Sequence, residues 1–331
     1  MKKHLVFVDR EKWDRNLLMR SFPSYRLTFL EKLGQFEKIK DAEIISVFVN
    51  TKVSKEAIQK LPNLKFIATR STGFDHIDLK ACQERGIKVA NVPTYGENTV
   101  AEHAFGLILN LSRKITQAID RTRAGDFTIG GLMGFDLKGK TIGIIGAGNI
   151  GRHVIKMALG FEMKVLVADP SVTSAEVKKL GATKVELKKL LAQSDIVTLH
   201  CPLCAPTSGM INASAIKQMK KGSLLINTAR GELMDTTAVL AGLKTGILAG
   251  VGLDAVEGEQ ALKNQATSLS KQDLRLIMEN RLLIKQPNVI VTPHIAFNSR
   301  EAVARIVNTT IENIKSYLSG KSKNLVSSGR R

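Results

Sequence analysis

The sequence predicts an α/β protein built from two doubly wound parallel-sheet domains, and three observations carry that prediction. Short apolar runs alternate with amphipathic helical segments almost throughout the chain. The runs fall into two series, one on either side of a long helical stretch. The length, 331 residues, is enough for two domains that each bury their own core.

The first series consists of HLVFV (4–8), EIISVFV (43–49), LKFIAT (64–69) and IKVANV (87–92), separated by amphipathic segments such as KEAIQKL and LKACQERG. The second consists of TIGIIG from Thr141, KVLVAD (164–169), DIVTLH (195–200), SLLINT (223–228), LAGVGLD (248–254) and NVIVT (288–292). Continuous apolar runs of this length suit strands covered on both faces by helices. Residues 98–125, NTVAEHAFGLILNLSRKITQAIDRTRAG, contain no proline and repeat apolar residues at helical spacing, so they predict one long helix. A last helix is expected over 299–319. It comes too late for the second sheet's repeat and is assigned back to the first domain. The boundaries are therefore 1–97 plus 296–331 for a discontinuous first domain and 98–295 for the second, with a site expected in the cleft between them. The polar ending KSKNLVSSGRR predicts a frayed tail.

Bulk properties narrow the function classes. No apolar run approaches the ~20 residues of a membrane span, and the run Leu5–Val8 is too short for a signal peptide. Three cysteines (Cys82, Cys201, Cys204) make no disulfide framework, which points to a cytoplasmic protein. The net charge of +19 raises the question of nucleic acid. It divides as +6 over 1–97, +8 over 98–295 and +5 over 296–331, without a basic run, and aromatics make up only 5%. Nucleic-acid sites concentrate charge in a stripe or interleave it with stacking aromatics, so no nucleic-acid partner is expected. The single tryptophan, Trp13, lies outside every motif and is assigned to packing.

The strand TIGII runs into Gly146-Ala147-Gly148-Asn149-Ile150-Gly151 and then into the helical RHVIKMALG. Glycines at this spacing let the backbone approach a pyrophosphate over a helix N-terminus. Asp169 ends the next strand, 18 residues past Gly151, where a carboxylate can take a ribose 2′-hydroxyl. Strand, fingerprint, helix and acid together predict a Rossmann domain. Pro170 and Ser171 follow Asp169 with no basic residue for a 2′-phosphate, so the expected cofactor is NAD. Three later strands end in residues suited to chemistry: Arg230 in NTARGE, Asp254 and Glu259 in GLDAVEGE, and His294 in NVIVTPHIAF. Strand ends of an open α/β sheet face one crevice. There the three motifs supply a fork for a carboxylate, a partner for an imidazole, and a proton donor.

GAGNIG, NTARGE, GLDAVEGE and NVIVTPHIAF, in that order, resemble the D-isomer-specific 2-hydroxyacid dehydrogenases from about residue 43 to 316. The resemblance implies a flavodoxin-like substrate domain and a Rossmann NAD domain. It implies that Arg230 binds the substrate carboxylate, that Glu259 pairs with His294, and that His294 is the acid/base. ATRSTGFDHID looks like the family's substrate loop, implying carboxylate contacts from amides near Thr72 and Gly73. NVPTYGENTVAEHA is similar to the lactate branch, which implies a pocket role for Tyr95. Phe297 stands where many lactate enzymes carry tyrosine. Cofactor contacts are implied at Gly146, Gly148, Asn149, Ile150, Gly151, Asp169, Cys201, Pro202, Thr228, Ala229 and Asp254, and a homodimer through the helix over 98–120. HCPLC (200–204) could be a redox pair or half of a zinc site. It matches the family's loop beside the nicotinamide, with Cys204 in place of the usual threonine, and is expected to hold two free thiols and no metal. Pyruvate is the expected substrate. The alternatives are a bulkier 2-oxo acid, such as 2-oxoisocaproate or phenylpyruvate, and an NAD-sensing binding protein like the C-terminal-binding-protein corepressors.

Overall fold

The computed structural model describes residues 2–8, 15–49, 51–262 and 270–326; Trp13 lies outside them. The chain divides into two compact units, Met1–Tyr95 with Ser299–Arg331, and Gly96–Asn298.

The first unit carries a six-stranded sheet. Its strands are β1 (His4–Val8), β2 (Arg26–Leu30), β3 (Ile44–Val47), β4 (Phe66–Thr69), β5 (Lys88–Ala90) and, from the chain's end, β13 (Leu325–Val326). The order is β13-β5-β4-β3-β1-β2, parallel except where β13 pairs antiparallel with β5. This is a doubly wound order whose switch point lies between β1 and β3. The strands read from the sequence are the central ones, buried on both faces. Two edge strands were not expected. β2 has only Leu30 fully buried and so lacks an apolar run. β13 corrects the expectation of a frayed tail: Leu325 and Val326 pair with Ala90 and Val89. Asn324 Nδ2 donates to Asn313 Oδ1 at 2.8 Å, and Asn324 O accepts from Asn91 N. The helix Arg300–Leu318 belongs to this unit and buries Val307, Ile311 and Ile314 against Leu5, Phe7 and Phe66.

The second unit carries β6 (Thr141–Ile145), β7 (Lys164–Ala168), β8 (Thr183–Lys184), β9 (Ile196–Leu199), β10 (Ser223–Asn227), β11 (Leu248–Leu253) and β12 (Val289–Val291). The order is β12-β11-β10-β9-β6-β7-β8, with every pairing parallel. Six of the seven match the predicted runs, and the two-residue β8 is too short to leave a periodic signal. Alternate residues face opposite layers, as a pleated strand requires. Ile142 and Ile144 join one core with Val154 and Ile155, while Ile145, Leu199 and Leu225 join the other with Ile216 and Val239.

The segment over 98–125 is two helices, Glu97–Arg113 and Ile115–Arg123, not one. Between them Lys114 takes a left-handed backbone, φ 52°. The Asn110 side chain makes the break tolerable: its Oδ1 accepts from the Thr116 amide at 2.9 Å, satisfying a donor at the start of the second helix.

Candidate active site

Because every strand of the second sheet runs in the same direction, the residues that follow the strands gather at one edge. Gly146 follows β6, Asp169 β7, His200 β9, Thr228 to Arg230 β10, Asp254 β11 and His294 lies beyond β12.

A cleft of about 430 Å³ lies at the glycine fingerprint, lined by Gly146, Ala147, Gly148, Asn149, Arg152 and Asp169, and also by Ser171, Val172, His200 and Pro202. The glycines act differently. Gly146 has φ 94°, and a Cβ there would lie 2.7 Å from His200 O and Cys201 N. At Gly151 a Cβ would meet Gly146 O at 2.1 Å, so only glycine lets the helix Asn149–Gly160 start this close to β6. Nothing stands within 4 Å of a Cβ on Gly148, whose face is open toward the cleft. Gly148 caps that helix without a side-chain bond, and its first turn carries no acid. First-turn amides and the positive end of the helix dipole are thus available to an anion. Asp169 accepts the Ala147 amide with Oδ2 and the Ser171 amide with Oδ1, both at 2.7 Å, which fixes the carboxylate at the cleft wall. His200 Nδ1 is buried with no partner among the described residues, while its Nε2 lies 2.8 Å from Thr198 Oγ1. Burial pushes the His200 imidazole down to about 3, so it is neutral at pH 7. An open glycine face, uncapped amides, a fixed carboxylate and an unpaired imidazole nitrogen fit a dinucleotide.

Five of the predicted cofactor residues line this cleft: Gly146, Gly148, Asn149, Asp169 and Pro202. Ile150, Gly151, Cys201, Thr228, Ala229 and Asp254 do not. Arg152 and His200 line it and were not singled out. His200 carries the strand-end position that marked Arg230 and His294, and Arg152 directly follows the last glycine. Arg152 thus adds a basic residue to the wall that holds Asp169, one that the stretch directly after Asp169 does not contain. Cys201 Sγ contacts Met210 Sδ at 3.8 Å and Cys204 Sγ lies 3.3 Å from Thr207 Oγ1. Both are free thiols, and burial pushes Cys201 up to about 11.

Arg230 sits on a turn built by Asn227. Asn227 is fully buried, its Oδ1 accepts from the Ala229 amide and its Nδ2 donates to Arg230 O at 2.7 Å. Gly231 then packs so tightly that a Cβ would lie 2.1 Å from Val256 C and 2.2 Å from Glu257 N. That contact sets the Arg230 turn directly against the loop leading to Glu259. Glu259 Oε2 and His294 Nδ1 are 2.9 Å apart, with side chains 20% and 23% exposed, so the pair is only partly screened by water.

His294 has a left-handed backbone, φ 58°, which costs an L-residue about 1–2 kcal/mol. Asp254, 2% exposed, holds the strained loop. Its carboxylate accepts from Ala296 N at 2.7 Å, Ile295 N at 2.9 Å and Thr292 Oγ1 at 2.5 Å. Three charge-assisted bonds of about 1.5–3 kcal/mol each outweigh the strain.

In the first unit, Thr72 and Gly73 follow β4. Their carbonyls are occupied: Asn91 Nδ2 donates to Thr72 O at 2.8 Å and Ser71 Oγ to Gly73 O at 2.6 Å. Among the described residues, their amides donate to no protein acceptor. Tyr95 is half-buried, and its carbonyl accepts from Arg305 Nε.

Comparison with known proteins shows the family. The family model for the D-isomer specific 2-hydroxyacid dehydrogenase, NAD binding domain, matches residues 105–296. D-lactate dehydrogenase of Escherichia coli is 35% identical over 326 residues, 96% of this chain and 97% of that one. An aromatic 2-oxoacid reductase of Clostridium sporogenes is 38% identical over 285 residues, 85% of this chain and 84% of its own. The structure of D-lactate dehydrogenase from Aquifex aeolicus, complexed with NAD and lactic acid, superposes with a TM-score of 0.87 at 35% identity, covering 96% of each chain. The chain belongs to the D-isomer-specific 2-hydroxyacid dehydrogenases, an NAD-dependent oxidoreductase family, and the cleft at the glycine fingerprint lies in its NAD-binding domain.

Proposed function

We propose that the protein reduces a small 2-oxo acid, pyruvate foremost, to the D-2-hydroxy acid. NADH supplies the hydride to C2 of the substrate. Arg230 is assigned the substrate carboxylate and the polarisation of the carbonyl, since a planar guanidinium can make two parallel bonds. The amides of Thr72 and Gly73 are assigned to the carboxylate as well, and Tyr95 to the substrate pocket. His294 donates the proton that the forming alkoxide takes up. The observation that carries this reading is the 2.9 Å contact of Glu259 Oε2 with His294 Nδ1. It orients the ring by holding Nδ1 on the carboxylate, and it leaves Nε2 as the nitrogen available to a substrate oxygen. Pyruvate, NADH and one proton then give lactate and NAD⁺, in balance.

A second reading, a bulkier aromatic 2-oxo acid, is favoured by the relative named an aromatic 2-oxoacid reductase, whose identity of 38% exceeds the 35% of the E. coli lactate enzyme, although over less of the chain. A panel of pyruvate, 2-oxoisocaproate and phenylpyruvate with NADH tests both readings. We expect the highest kcat/KM for pyruvate and a loss of roughly 100- to 10,000-fold in kcat for His294→Ala, the usual contribution of a positioned acid/base group. Higher kcat/KM for phenylpyruvate would select the second reading, and full activity of His294→Ala would overturn both.

We also assign self-association to the helical segment 98–120. Ile115 and Ile119 are 41% and 42% exposed, and Phe127, Ile129 and Met133 beyond them are 80%, 86% and 89% exposed. Five exposed large apolar side chains within nineteen residues of chain support an interaction surface there. The assigned compartment is the cytoplasm, where three free thiols stay reduced. No helix among the described residues is long and apolar enough to cross a membrane.

A further inference from the structure

We infer that His103 is a positioning residue for the proton donor, holding the His294 loop from the helix Glu97–Arg113. The inference begins with two glycines. A Cβ on Gly250 would lie 3.1 Å from Leu111 Cδ2, and one on Gly252 3.0 Å from Leu107 Cβ. Both glycines point from β11 to the same face and let the helix lie directly on the strand. Leu111 and Leu107 are one step of four along the helix, a rise of about 6 Å. Gly250 and Gly252 are one step of two along the strand, a rise of about 6.6 Å. The two spacings match, so the next step continues the register: from Leu107 to His103, and from Gly252 to Asp254. There the spacing brings together a half-buried imidazole and a carboxylate that is 2% exposed.

The contacts at this third rung fix the direction of the hydrogen bonds. His103 Nε2 lies 3.0 Å from Thr292 Oγ1 and 3.5 Å from Asp254 Oδ1. The Thr292 hydroxyl has one proton, and it goes to Asp254 Oδ1 at 2.5 Å. Thr292 Oγ1 therefore accepts from His103, which must carry its proton on Nε2. The relay runs from His103 Nε2–H to Thr292 Oγ1–H to the Asp254 carboxylate, which also holds the amides of Ile295 and Ala296. His294 lies between these anchors, Thr292 two residues before it and Ile295 directly after, with its backbone at φ 58°. Without His103 the upstream anchor loses its only bond from the helix among the described residues, and the imidazole of His294 is free to drift from its working position.

This inference rests on the reading of His294 as the proton donor. The test uses the full chain with saturating NADH and the 2-oxo acid it turns over fastest, comparing His103→Leu, which fills the space without a donor, and His103→Gln, whose amide restores one. His103→Leu is expected to lower kcat about tenfold or more. KM for the 2-oxo acid and the fluorescence Kd for NADH should stay within about twofold. The solvent deuterium isotope effect on kcat should rise as proton transfer becomes limiting, and His103→Gln should restore most of the rate. If His103→Leu does not fold, Thr292→Val interrupts the same relay and should give the same signature. Wild-type kcat and isotope effect in either interrupted variant, or a loss that appears equally in NADH binding, overturns the inference. His294→Ala is measured in parallel. If it stays active, the reading of the site fails whatever His103 does. If it is inactive while His103→Leu is unimpaired, only the positioning role fails.

Discussion

Gly231→Ala tests the geometry that joins Arg230 to the Glu259 loop. The added Cβ would stand 2.1 Å from Val256 C, 2.2 Å from Glu257 N and 2.4 Å from Val256 O, all backbone atoms that cannot swing aside. Ordinary contact begins at 3.4 Å, so one segment must retreat by the difference from 2.1 Å, about 1.3 Å. The turn behind Gly231 is pinned by Asn227 to Ala229 and Arg230. The loop ahead is tied by Asn280 Nδ2 to Glu257 O at 2.7 Å. Whichever gives way, the guanidinium and the Glu259 carboxylate separate. A misplacement of about 1 Å in a catalytic constellation costs on the order of 100-fold, and overpacking a tight contact costs about 1–3 kcal/mol of stability. We therefore expect kcat/KM for the 2-oxo acid to fall on the order of 100-fold, with a lowered Tm and an NADH Kd changed less than about threefold, since the fingerprint cleft is untouched. Kinetics within twofold of wild type, in a protein whose Tm has dropped, would show that the two segments can part without consequence and would refute the argument.

Glu259→Gln keeps the shape beside His294 and replaces a charge-assisted hydrogen bond with a neutral one, so kcat for the 2-oxo acid should fall about tenfold or more with the NADH Kd unchanged; wild-type kcat removes Glu259 as the partner. If Asp169 takes a ribose 2′-hydroxyl, Asp169→Ala should narrow the ratio of kcat/KM for NADH over NADPH; equal use of both cofactors by the unmutated protein would refute the role. His200 is neutral in the native state because burial pushes it down to about 3, whereas an unfolded histidine takes its proton below about 6.5. Stability is therefore lost as pH falls from 6.5 toward 3, by up to about 2 kcal/mol between pH 7 and pH 5, and His200→Gln should unfold with that much less pH dependence in denaturant titrations.

What could be read from the sequence was whatever is encoded next to itself. Central strands of a parallel sheet are covered on both faces, so nine of the thirteen described strands stand out as apolar runs, from HLVFV to LAGVGLD, and the edge strand β12 stands out as a tenth because its run, VIV, is wholly apolar. The remaining three are edges that lack such a run. RLTFL exposes Arg26 and half-exposes its middle, and TK and LV are two residues each. The helix break at Lys114 was hidden for a different reason. Neither proline nor glycine marks it; an asparagine side chain four residues upstream stabilises it, and asparagine mid-helix looks like an ordinary polar position.

The site divides in the same way. A glycine fingerprint is local, because the backbone conformations it permits belong to those residues, as the φ of 94° at Gly146 illustrates. Arg230, Glu259 and His294 each follow a strand, so topology alone carries them to one edge of the sheet. The residues that hold them depend on register between distant segments. Asn227 reads as one more residue of a buried strand until its side chain is seen closing the turn at Arg230. His103 reads as a polar position on an apolar helix until Leu107 and Leu111 are laid on Gly252 and Gly250, some 140 residues away. Once that register is fixed, the helix rise and the strand rise carry His103 to Asp254 at the end of β11 and to Thr292 beyond β12, so the packing of two glycines determines what stands behind the His294 loop.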